Sequence, residues 1–143
     1  MKRQVFIEVA AALIILLFVY ASTSKFLAFH KFIGEINNQP LPNSWTPLLV
    51  WFIPCSEILI AIMLMLERSR LAGFWASFLF MLAFSIYAAV ILLHGFSYIP
   101  CSCGGVIENL SWGQHLVLNL VFVGLAGVGI LFQGVKRKRT LVS

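Results

Sequence analysis

Two cysteines separated by one residue, Cys101 and Cys103, are the residues of this chain best suited to chemistry. Gly104 and Gly105 follow them, so the backbone there is free to take dihedral angles that other residues avoid. A thiolate attacks disulfides and binds soft metals, and a disulfide across so short a spacing would be strained and prone to exchange. The pair therefore predicts thiol–disulfide or soft-metal chemistry. The plainer interpretation is two idle thiols or a structural bond.

Ionisable residues elsewhere extend this candidate site. Glu57 lies inside an apolar segment two residues after Cys55, where a carboxylate is costly unless it faces the protein interior and has a partner. The candidate partners and auxiliary groups are Lys25, Tyr87, His94 and His115. Two interpretations stay open: a structural polar contact, or proton handling coupled to the thiols with Cys55 as a third sulfur.

The composition predicts an integral membrane protein of one compact domain over residues 1–143. The chain is 61% hydrophobic and 10% charged, with a mean hydropathy of +0.97, which excludes a soluble globular domain. The net charge of +5 does not indicate nucleic acid, because the basic residues cluster at the ends of apolar segments. Membrane topology and anionic lipid headgroups explain that clustering.

Four apolar stretches are long enough to span a bilayer, which takes about 20 residues at roughly 1.5 Å each. They cover approximately 5–29, 47–66, 71–94 and 112–132. We therefore predict an all-α four-helix membrane bundle with connecting loops at 30–46 and 95–111. Thr46 before Pro47 is expected to cap the second span.

Basic residues near the segment ends predict the orientation. Eight lie on one side of the predicted membrane and two, Lys25 and Lys31, on the other; the eight are Lys2, Arg3, Arg68, Arg70, Lys136, Arg137, Lys138 and Arg139. The positive-inside rule then predicts that both termini lie on the cytoplasmic side of a bacterial inner membrane. The cysteine loop would face the periplasm, where disulfides persist.

Polar residues at helical spacing predict an inward-facing stripe. The third span carries Ser77, Tyr87 and His94 on one face, and the fourth carries His115 and Asn119 one turn apart. Hydrogen bonding between helices is the plainer interpretation, and a small aromatic-lined quinone pocket is the alternative. Glycines in the fourth span are expected to allow close helix packing, namely Gly124, Gly127 and Gly129.

Several of these residues together resemble a known family. Ser24-Lys25, Pro54-x-x-Glu57 and the Cys-x-Cys-Gly-Gly loop are similar to the MauE/DoxX group of small four-helix membrane proteins, and to Bacteroidetes-type MauE-like proteins in particular. The resemblance implies a role in periplasmic redox beside a thioredoxin-like or other cysteine-containing partner, as in the maturation of disulfide-rich methylamine dehydrogenase. It also implies that Cys101 and Cys103 exchange disulfides and that Glu57 and Lys25 form a buried polar pair.

The architecture is more distantly similar to quinone-coupled disulfide-forming proteins of the DsbB and vitamin K epoxide reductase type. Those proteins use two cysteine pairs, typically including a Cys-x-x-Cys. This chain has three cysteines and no such motif, so a complete relay to quinone would need Cys55 in the missing role.

The leading hypothesis is a membrane component of a thiol–disulfide redox or protein-maturation pathway, acting as a thiol–disulfide oxidoreductase through Cys101 and Cys103. One alternative is a non-catalytic subunit or assembly factor of a larger membrane complex. Another is a Cu(I)-binding protein in which Cys101, Cys103 and His115 hold the metal.

Overall fold

The chain is almost entirely helical where the computed structural model describes it, over residues 2–37, 42–93 and 112–142. The helices are α1 (Lys2–Leu27), α2 (Phe29–Asn37), α3 (Thr46–Met65), α4 (Arg70–Leu92) and α5 (Trp112–Val142). Short 3₁₀ turns occupy Asn43–Trp45 and Glu67–Ser69. Since these ranges contain no strand, the predicted all-α class is confirmed.

Four of the helices, α1, α3, α4 and α5, are long and apolar enough to cross a membrane. Large apolar side chains cover their outer surfaces: Leu16, Leu48 and Leu131 are each about two-thirds exposed, at 66%, 68% and 67%. Such a surface is unfavourable in water but is well solvated by lipid chains, which are as apolar as leucine. The protein is therefore a multi-pass membrane protein built as a four-helix bundle, as predicted.

Successive membrane helices run in opposite directions, which gives the bundle two distinct ends. At the terminal end, where the described chain begins and finishes, the rings of Phe6 and Phe132 lie 5.3 Å apart. At the opposite loop end, α1 finishes beside the start of α3, where the rings of Phe26 and Trp51 lie 6.4 Å apart. The most extensive helix contacts are α4 with α5 and α1 with α3.

Close packing of α4 on α5 depends on one glycine. A Cβ atom added at Gly129 would lie 2.6 Å from Cε1 of Phe74, whose side chain is fully buried. At Gly124 the same addition meets nothing within 4 Å. The expected packing role therefore holds for Gly129, while Gly124 makes no close approach to another helix.

The connection at 30–46, expected to be a loop, contains helix α2. Its apolar residues recur at helical spacing and form a small cluster with α3, made by Phe32, Ile36 and Val50. A pattern of nine residues is too short to predict a membrane span, and the sequence alone therefore predicts a loop at this position. The result is an amphipathic helix packed over the loop end of α3.

Two helix boundaries differ from the prediction. Thr46 is the first residue of α3, and its hydroxyl donates to Asn37 Oδ1 at 2.7 Å instead of capping its own helix. Helix α5 continues to Val142, past the expected end at residue 132, and its basic residues lie in these additional turns. Lysine and arginine favour helix in water almost as well as leucine does, so the apolar run ends before the helix.

Candidate functional site

A buried ion pair joins α1 to α3 near the loop end. Lys25 Nζ lies 3.1 Å from Glu57 Oε1, and the two side chains are only 6% and 1% exposed. Lys25 is one of several partners predicted for Glu57, and this contact is confirmed. Because each charge is removed from solvent, such a pair is stable only when its geometry is good and other polar groups satisfy the remaining donors and acceptors.

The direction of α1 explains why the lysine points inward. Side chains on an α-helix lean toward the helix N-terminus, so the amine of Lys25, near the end of α1, is directed back along the bundle. It lies 3.5 Å from the carbonyl of Ala21, one turn earlier, and reaches Glu57 from there. The charge is thereby held in the protein interior.

Helix α2 covers this ion pair on one side. The Lys25 ammonium lies 5.9 Å from the ring centroid of Phe32, within the range of a cation–π contact. Phe32 is itself 2% exposed and belongs to the cluster with Ile36 and Val50. The amine therefore has a carboxylate, a carbonyl and an aromatic face around it.

The interior contains further buried polar atoms besides those of the ion pair. Glu57 Oε2 and Asn119 Oδ1 are buried and find no hydrogen-bond partner among the residues that the structure describes. A buried acceptor without a donor costs free energy, so both oxygens are suited to accept a hydrogen bond, and the Glu57 carboxylate is also able to take up a proton. His115 is also buried, which places the polar face of α5 inside the bundle as predicted.

The polar residues of α4 are arranged differently from the prediction. Ser77 is buried as expected, but its hydroxyl donates to the carbonyl of Gly73 at 2.8 Å, within the same helix. Ser85, which the predicted stripe omitted, is buried and bonds to Met81 in the same way at 2.7 Å. Tyr87 is half-buried. The two serines are thus satisfied locally, and no hydrogen bond between helices is needed to explain them.

Cys55 lies on the outer surface of α3. It is exposed, while Glu57 two residues later is buried, because two residues subtend about 200° around a helix. A role as third sulfur would require its partner to reach this outer face, and that role stays a prediction. Pro54, also buried, has no N–H to donate to the carbonyl one turn earlier, yet α3 continues through it.

The other predicted site residues, His94, Cys101 and Cys103, lie outside the described residues. Within the described ranges, no group of three or more His, Cys, Asp and Glu side chains could hold a metal ion. The Cu(I) alternative is not tested by this result, because two of its three ligands fall in the undescribed segment.

A second ion pair lies at the terminal end and was not predicted. Arg70 Nη1 lies 2.9 Å from Glu8 Oε1, and Arg70 Nε donates to the carbonyl of Leu64 at 3.1 Å. Arg70 is buried, and it is also one of the eight basic residues on which the predicted orientation depends. An acid in the first turns of α1 and an arginine at the start of α4 are the signal in the sequence, because the alternating direction of the spans places both helix starts at the same end.

Fold and site together define an integral membrane four-helix bundle with a buried lysine–glutamate pair. A family model described as Methylamine utilisation protein MauE matches residues 3–132. The chain therefore belongs to the MauE family, as the resemblance predicted. Neither the curated proteins nor the solved structures contain a match to this chain.

Proposed function

We propose that this MauE-family protein is a membrane component of a thiol–disulfide redox or protein-maturation pathway that serves methylamine utilisation. It exchanges disulfides through Cys101 and Cys103 with a cysteine-containing partner in the periplasm. The observation that carries the proposal is the buried Lys25–Glu57 pair at the loop end of the bundle. The family name supports the connection with methylamine utilisation.

Chain connectivity relates the thiols to that ion pair. The chain leaves α4 after Leu92 and enters α5 at Trp112, so both attachment points of the cysteine segment belong to the loop end. A carboxylate with one buried oxygen still lacking a described partner lies near the middle of α3, paired with Lys25 near the loop end of α1. This arrangement supports Glu57 as the group that moves a proton when the thiols change state.

The proposed exchange proceeds in two steps. A partner thiolate attacks one sulfur of a Cys101–Cys103 disulfide, whose S–S bond breaks as a mixed disulfide forms and the other cysteine leaves as a thiolate. The second partner thiolate then attacks the mixed disulfide, which leaves an oxidised partner and a reduced Cys101/Cys103 pair. Two electrons pass to this chain, and the leaving thiolates take up protons; His94 and His115 are the candidate groups that stabilise those thiolates. The opposite direction uses the same bonds in reverse.

Trapping of the mixed disulfide tests this proposal. Cys101→Ser and Cys103→Ser, made singly in the native membrane, should let one of the two variants accumulate a covalent adduct with the partner that reducing agent dissolves. Cys55→Ser is the matched control and should trap nothing, because it leaves both loop thiols in place. Partner disulfide status that is unchanged in the Cys101→Ser/Cys103→Ser double variant would contradict exchange.

The same experiment separates the non-catalytic alternative. An assembly factor or structural subunit would copurify with its partner in the double variant, without any covalent adduct in the single variants. Stoichiometric copper in anaerobically purified protein, lost when Cys101 and Cys103 are replaced, would instead favour the Cu(I)-binding alternative.

A further inference from the structure

A basic cavity opens at the terminal end of the bundle, between the start of α1 and the end of α5. Its volume is about 620 Å³. Four cationic side chains line it: Lys2, Arg3, Lys136 and Arg139. Among the described residues that line it there is no carboxylate. The cavity therefore concentrates positive charge from two helices that are far apart in sequence.

The nearest acid on α1 is already engaged. Glu8 accepts from Arg70 Nη1 at 2.9 Å and from Gln4 Nε2 at 2.9 Å, so its charge is directed to other partners. Bringing four like charges to one cavity is unfavourable unless an anion joins them. Glu67 lines an adjoining cavity together with Lys136 but is not among the residues that line this one. The lining of this cavity therefore favours a negatively charged ligand.

The length of α5 places these cations at the depth of lipid headgroups. The helix has 31 residues and is therefore about 46 Å long, against a hydrocarbon core of about 30 Å. Its apolar run ends near Phe132, and Lys136 and Arg139 follow roughly 6 and 10 Å further along the axis. That distance corresponds to the polar region between the acyl chains and bulk water.

The base of the cavity is apolar. Ile7, Phe132 and Val135 line it beneath the cations, and the Phe6–Phe132 ring contact fixes the two helices there. A free phosphate would gain nothing from this base, whereas a phospholipid presents an acyl chain next to its phosphate. We propose that the cavity binds an anionic phospholipid, with the phosphate held by the four cations and the adjoining chain against the apolar base.

The cluster Lys136–Arg139 provides a matched test. Lys136 and Arg139 lie one turn apart and line the cavity, while Arg137 and Lys138 belong to the same turns and do not line it. We would compare Lys136→Gln/Arg139→Gln with Arg137→Gln/Lys138→Gln, since each removes two charges from the same helix end. The probe is dioleoyl-phosphatidylglycerol added at rising mole fraction to protein in neutral detergent micelles, with thermal unfolding as the readout.

Wild-type protein should be stabilised by phosphatidylglycerol at a lower mole fraction than by phosphatidylcholine. A basic residue close to an anionic lipid headgroup contributes roughly fivefold to binding, and in the proposed site only Lys136 and Arg139 of this cluster lie that close. The Lys136→Gln/Arg139→Gln variant should therefore need at least about tenfold more phosphatidylglycerol for half-maximal stabilisation, while the Arg137→Gln/Lys138→Gln variant should change less than about threefold. Circular dichroism before heating confirms that both variants are folded.

Three results would overturn the proposal. Equal weakening in both double variants would indicate a diffuse charge effect without a site. Equal stabilisation by phosphatidylcholine would show that the headgroup charge is not recognised. Stabilisation by soluble glycerol phosphate at matched concentration, as large as that by phosphatidylglycerol, would show that the ligand is a free phosphate and that the apolar base contributes nothing.

Discussion

The Lys25–Glu57 pair holds α1 and α3 together because neither charge is stable in the protein interior without the other. Each ion alone in a low-dielectric interior is expensive, and their mutual attraction at 3.1 Å offsets much of that cost. Removing one partner leaves an uncompensated buried charge, whereas replacing both with apolar residues of similar volume is far milder. The pair's contribution therefore depends on both members being present.

A double-mutant cycle on this pair tests that reasoning. Lys25→Met should lower the free energy of unfolding by about 3–5 kcal/mol, because Glu57 is then buried without its cation. Glu57→Leu should cost less, since Lys25 lies near the end of α1 and is able to swing toward the membrane surface. Lys25→Met/Glu57→Leu should be more stable than the sum of the single losses predicts. Additive losses, measured by denaturant unfolding in detergent micelles, would contradict a coupled pair.

The Glu8–Arg70 contact offers a comparison with different burial. Glu8 is 51% exposed at its side chain, so water screens the attraction and Gln4 supplies a second partner. Glu8→Gln should therefore lower the unfolding free energy by less than about 1 kcal/mol in the same assay. A loss as large as that of Lys25→Met would mean that Glu8 is shielded from solvent in the membrane.

At the scale of elements, the α4–α5 interface is the most extensive, and it is sensitive to volume. Phe74 is completely buried, and a Cβ atom added at Gly129 would lie only 2.6 Å from its ring. A protein interior is packed as densely as an organic crystal, and one additional methyl group there requires neighbours to shift.

Two alanine substitutions on α5 make this sensitivity measurable. Gly129→Ala should destabilise the bundle by about 1–3 kcal/mol, because the new methyl group overlaps the Phe74 ring. Gly124→Ala meets nothing within 4 Å and should be neutral or slightly stabilising, since alanine favours helix. Thermal unfolding of both variants in one detergent gives the comparison, and equal effects would show that α4 and α5 are not packed this tightly.

The elements themselves were predictable to different degrees. Spans of about 20 apolar residues identify membrane helices from composition alone, because lipid selects for length and hydrophobicity. The nine residues of α2 carry a weaker signal, and its helical state depends on packing against α3 through Phe32 and Ile36. The end of α5 was missed for a related reason, since hydropathy reports where the lipid ends and not where the helix ends.

The candidate site was also predictable only in part. Glu57 was recognisable because an acid within an apolar run needs a partner, and few cations were in reach of it. The burial of Arg70 was not predictable, because a basic residue at a segment end satisfies the topology rule equally well whether it is exposed or buried. Which serines of α4 face inward depends on helix rotation within the bundle, and periodicity alone does not specify that rotation.

At the scale of the whole molecule, the distribution of basic residues predicts the orientation of the bundle. In a Cys55→Ser background, a membrane-impermeant maleimide applied to intact spheroplasts should label reduced Cys101 and Cys103. A cysteine introduced at Leu141 in a protein lacking the native cysteines should react only after lysis. Labelling of the Leu141 position in intact spheroplasts would contradict the predicted topology, and with it the compartment in which disulfide exchange is proposed.

The position of Glu57 has a consequence for biogenesis. This residue lies near the middle of α3, so an isolated α3 entering the bilayer would carry a charge costing roughly 2.5–3.5 kcal/mol. Lys25 is synthesised first and only 32 residues earlier. We therefore expect α1 and α3 to leave the translocon together as a helical hairpin, in which Lys25 is already paired with Glu57 before lipid surrounds the acid.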